Sequence, residues 1–153
     1  MGTWGTGNFD SDTAADHLGI LVARLIEEIA TAMAGDPVEL EWDQYWGVAV
    51  PCNLELLALL HEERWVGVDV PEPATVAAWR TRYLAIWDAG TSSMGASPQW
   101  TRARRAVLVA TFDQLEKLSQ READSRAAKP GKPKQITQRR RPIKIAKPRR
   151  TRR

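Results

Sequence analysis

Cys52, His17 and His61 are the only thiol and imidazoles in the chain, so they bound what it could catalyse. A nucleophile needs a base within reach, and the base needs a third group to orient it. Cys52 and His61 are nine residues apart. On one helix, at about 100° per residue, they point to opposite sides. A Cys52–His17 pair across helices stays open, but nothing in the sequence completes the set. Metal-ligand spacings are missing too: Cys-x-x-Cys, His-Glu-x-x-His and Glu-x-x-His do not occur. Asp10, Asp12 and Asp16 beside His17 suggest a calcium loop. Such a loop needs a ligand, a glycine and a glutamate where Ala14, Ala15 and Leu21 stand. These aspartates better suit the positive end of a helix. Gly5-Thr6-Gly7 lacks the third glycine and the preceding strand of a dinucleotide site. The expectation is no catalytic residue, no cofactor and no metal, hence not an enzyme.

The other chemistry is ionic. Lys132, Lys134, Arg139, Arg140, Arg141, Lys144, Lys147, Arg149, Arg150, Arg152 and Arg153 crowd one end, spaced by Pro, Ile and Thr. Such arms neutralise phosphates and release counterions. Without aromatic residues to read bases, they would hold DNA or RNA regardless of sequence. The alternative is a solvated arm, or one folded back on the acidic remainder. A second group, Glu39, Glu41, Trp42, Asp43 and Trp46, sets aromatics among acids. It suits a basic protein partner, unless the aromatics simply turn inward. Trp79, Tyr83 and Trp87, at four-residue steps, could stack on a ligand; such a stripe more often belongs to a core.

Charge separates two parts. Residues 1–124 hold nine Lys/Arg and nineteen Asp/Glu, a net −10; residues 125–153 hold thirteen Lys/Arg and no acid, a net +13. Two function classes follow: a binding protein whose basic arm holds nucleic acid or another polyanion, or an inhibitor-type module whose acidic body masks a basic protein such as a toxin. One cysteine allows no disulfide within the chain. No run is long and apolar enough to cross a bilayer, and no secretory leader is evident. A cytoplasmic protein without a membrane partner is expected.

The elements follow from spacing. Gly5 and Gly7 read as backbone conformations closed to other residues, with Trp4 and Phe9 as anchors of a pinned turn on which the rest is stacked. Ser11 or Asp12 then caps a first helix, with Asp12 and Asp16 at its positive end. Leu18, Leu21, Val22, Leu25, Ile26, Ile29 and Met33 give it one apolar face, over about Asp12 to Ala34. Val38 to Trp42 alternates and reads as extended. Asp43 to Glu63 reads as a helix kinked at Pro51, or one beginning near it. A third helix covers about Ala74 to Ala89. A fourth begins at Ser97-Pro98, presents Trp100, Ala103, Val107, Leu108, Thr111, Leu115 and Leu118, and runs to about Ala127 with a Glu122–Arg126 pair. From Lys129 on, four prolines and twelve Lys/Arg predict disorder. The expected fold is all-α, a bundle of about four helices over residues 1–124, with a disordered basic tail over 125–153.

The opening residues Trp4, Gly5, Gly7, Phe9, Asp12, Ala14 and Asp16 resemble the bacterial family DUF4259, a domain of unknown function whose members open Trp-Gly-x-Gly-x-Phe. His17 departs from the tryptophan usual there. The resemblance is specific over about residues 1–20, looser over the later helices, and excludes the tail. It implies a small helical bacterial domain and brings no activity. It also favours a structural turn over lipidation at Met1-Gly2-Thr3-Trp4-Gly5-Thr6, because N-myristoylation is a eukaryotic reaction.

Overall fold

A computed structural model describes residues 2–128, apart from the Ser92 side chain. The expected disorder and the tail's basic residues, Lys129 to Arg153, lie outside the described residues. Four helices make the fold: α1 Asp12–Ala34, α2 Tyr45–Glu62, α3 Pro73–Gly90 and α4 Pro98–Ala128. Helix α2 packs against α1 and α4, α4 against α3, and α3 closes back on α1. The bundle is all-α, as expected. No helix among the described residues is long and apolar enough to cross a membrane.

Ser11 caps α1, its hydroxyl accepting from the Ala14 N–H at 3.2 Å. That satisfies one of the donors a helix start leaves free. Leu18, Val22, Ile29, Ala32 and Met33 are buried along one side.

The alternating segment after α1 is not extended. Pro37–Leu40 forms a 3₁₀ turn, with the Asp36 carboxylate accepting from the Val38 N–H at 3.0 Å. An extended chain would put Val38 and Leu40 on one face. The turn separates them: Leu40 is 0% exposed and Val38 56%. A lone strand has no neighbour for its backbone groups, whereas a capped turn satisfies its own.

Helix α2 begins at Tyr45, two residues later than expected, and runs through Pro51 as one helix. Proline has no N–H to give the carbonyl four residues back, here that of Gly47. The buried Tyr83 hydroxyl on α3 donates to that carbonyl instead. Gly47 is also a close approach: a Cβ there would stand 1.8 Å from the Glu41 carbonyl oxygen. The chain can turn from the 3₁₀ segment into α2 only over a bare Cα.

Trp79, Tyr83 and Trp87 on α3 are buried in the core, as their spacing predicts. Tyr83 lies 5.6 Å from the Phe112 ring of α4. Ion pairs run along the same seam: Arg105 grips Asp88 at 2.7 and 2.8 Å, and Arg80 meets Asp113 at 2.9 Å. Ser97 caps α4 through the Trp100 N–H at 3.2 Å. The expected face of α4 is buried only from Leu108 onward; Trp100, Ala103 and Val107 are exposed. The first turns of α4 are largely exposed, and Val107, beside the fully buried Leu108, lies on the outer side of the helix. Its far end runs past Asp124, the expected domain boundary, and Arg126 there pairs with Glu72 at 2.8 Å and Glu122 at 3.7 Å.

Candidate functional site

The glycine-tryptophan opening folds into a closed turn. Trp4 N–H donates to the Asp10 carbonyl at 3.0 Å, and Asp12 N–H to the Gly2 carbonyl at 3.0 Å. Two carboxylates lock it: Asp10 accepts from the Gly7 N–H at 2.8 Å and Asp12 from the Gly2 N–H at 2.6 Å. Gly5 and Gly7 are not in the left-handed region, contrary to the sequence expectation. Glycine serves space instead: a Cβ on Gly5 would stand 2.3 Å from the Asp10 carboxylate oxygen. Trp4 is not an anchor, being half-exposed. Nor is the fold stacked on this turn, which lies at the surface beside the helical core.

Phe9 does attach the turn, stacking on Trp65 with ring centres 4.1 Å apart. Phe9→Ala should speed hydrogen exchange of the Trp4, Asp10 and Asp12 amides at least about tenfold. Global stability should fall by only about 1 kcal/mol. Unchanged exchange at those amides would show that the stack does not hold the turn.

Trp65 also walls a cleft of about 470 Å³ between the end of α2, the segment after it and the last turns of α4. Val68 and Leu118 give it apolar surface; Arg64, Arg121, Glu62 and Glu122 give it charges of both signs. Arg64 holds φ 58°, an uncommon left-handed conformation for a side-chain-bearing residue. His61 stands 3.9 Å from Glu122, beyond hydrogen-bond distance. The sequence alone did not reveal this cleft. Its walls lie more than fifty residues apart, and Trp65 is separated from its stacking partner by as much.

His17 and Cys52 are both exposed, on α1 and α2. No group of three or more His, Cys, Asp or Glu among the described residues could hold a metal ion. The acidic-aromatic group divides. Glu39, Glu41 and Asp43 are exposed, while Trp42 and Trp46 are half-buried and pack on the core. Trp46 also lines a shallow groove with Arg24, Glu27 and Glu28. The outward part of this group is thus mainly its carboxylates.

Acid is concentrated in the first half of the described chain. Residues 2–63, which build α1, the 3₁₀ turn and α2, hold twelve acids and one cation, Arg24, a net −11. Residues 64–128 hold seven acids and nine cations, a net +2. No curated protein and no solved structure matches the chain. The family described as Domain of unknown function (DUF4259) matches residues 2–125, ending three residues before α4 does, and the chain belongs to that family.

Proposed function

We propose that this is a bacterial, cytoplasmic, non-enzymatic binding protein. Its helical body carries a basic extension that holds DNA, RNA or another polyanion without sequence preference. The observation that carries the reading is the charge division: net −11 on residues 2–63 against twelve Lys/Arg and no acid on residues 129–153. Each phosphate neutralised by a cation releases counterions, so affinity should fall steeply with salt.

The test uses the full chain and labelled DNA and RNA of unrelated sequences. Replacing Arg139, Arg140, Arg141, Arg149, Arg150, Arg152 and Arg153 by Gln should weaken binding at least about a hundredfold at low salt. It should also flatten the salt dependence by several units of slope. Equal binding by both proteins would discard the reading.

The exposed carboxylates Glu39, Glu41 and Asp43 favour a second reading, in which the acidic half masks a basic protein such as a nuclease toxin. Reversing those three charges to Lys should then abolish protection of the toxin while leaving polyanion binding intact.

A further inference from the structure

Helix α2 is covered by α1 on one side and α4 on another. Its remaining side is bare and apolar. Tyr45, Val48, Cys52, Leu56 and Leu59 stand along it, at spacings of three, four, four and three. Tyr45 is 74% exposed, Val48 51%, Leu56 48% and Leu59 51%, and Cys52 is exposed as well. At about 100° per residue, all five lie within roughly 40° of the Cys52 direction. Single exposed aliphatic residues are ordinary, but a continuous stripe marks a contact surface.

The spacing is the same read from either end, with Cys52 at its midpoint. A two-fold contact requires a surface complementary to itself. Laying a second copy of α2 antiparallel, with the axis at Cys52, sets Tyr45 level with the second copy's Leu59 and Val48 level with its Leu56. Cys52, the small residue, meets its own equivalent where the helices come closest. Between Tyr45 and Leu59 the only charged residue is Glu55, and it comes level with Ala49 of the second copy rather than with another acid. Residues 2–63 carry a net −11, so copies joined here repel at low salt, and the contact has to rest on apolar burial and tighten as salt screens the acids.

We infer that this face joins two copies of the chain, α2 antiparallel on α2, with both Cys52 thiols on the symmetry axis. The inference does not depend on what the basic residues bind.

The reduced full chain should show twice the monomer mass of 17.1 kDa in light scattering at high protein concentration. Diamide, which takes two electrons and two protons from two thiols as the S–S bond forms, should then link Cys52 to Cys52. Linking should be at least tenfold faster than in C52S/A106C, whose thiol sits on an exposed part of α4. V48E/L56E should be monomeric with unchanged helical content, because both side chains are exposed. A monomeric mass together with equal linking rates would overturn the inference. So would a dimer that persists in V48E/L56E. So would a dimer lost at high salt, since an apolar seam survives screening and a contact between acidic and basic regions does not.

Discussion

Gly47→Ala should unfold the protein or cost it at least about 3–4 kcal/mol, measured by denaturant titration of the helical signal. The new methyl carbon would start 1.8 Å from the Glu41 carbonyl oxygen. That oxygen belongs to the backbone, so no rotamer change relieves the overlap. It also accepts from the Gln44 N–H at 3.0 Å just before α2. Relief means pulling the 3₁₀ turn away from α2, and Leu40, fully buried on that turn, would move with it. The cost therefore resembles loss of a buried leucine, typically about 2–5 kcal/mol, with a broken turn added. A Gly47→Ala protein within about 1 kcal/mol of the parent would show that the turn yields freely.

Tyr83→Phe should cost about 1–3 kcal/mol, because it leaves the Gly47 carbonyl without the hydroxyl that replaces the missing Pro51 N–H. The cause can be isolated. In a Pro51→Ala background, residue 51 regains an N–H for that carbonyl, and Tyr83→Phe should then cost about 1 kcal/mol less. Additive effects in this double-mutant cycle would break the link between the two residues. The hydroxyl also carries a pH signature. Burial pushes its pKa up to about 12, from an ordinary value near 10. The unfolded chain thus ionises first as pH rises. Tyr83's contribution is intact below about pH 10 and is lost as pH climbs through about 12, by roughly 2–3 kcal/mol in all. The Tyr83→Phe protein should lack this part of the alkaline loss.

Local pattern was readable where one helix face meets one core. The steps Leu18–Val22–Ile29 and Trp79–Tyr83–Trp87 announced α1 and α3, and Ser11 and Ser97 announced two starts, because capping is settled within four residues. Pattern misled where a different force decided. Val38 to Trp42 alternates like a strand, but a strand without a neighbour loses to a capped turn. Trp100 continues the apolar period of α4 into its exposed first turns, and Val107, beside the fully buried Leu108, falls on the helix's outer side, so period there does not mean burial. Gly5 and Gly7 lie close against the Asp10 carboxylate, which only the folded turn displays. The cleft and the Phe9–Trp65 stack depend on contacts between distant stretches, and one sequence holds no record of those. The cationic residues are the opposite case: charge is legible without a fold, and the proposed function leans on it.

The Phe9–Trp65 stack also orders events during synthesis. Residues 1–10 are made before the Trp65 ring that holds them, which follows Phe9 by more than fifty residues. At about 5–20 residues per second, the glycine-tryptophan turn waits several seconds for its support. Until α2 and the segment after it emerge, α1 is present with its apolar side uncovered, and a chaperone binding nascent chains would meet the protein in that interval.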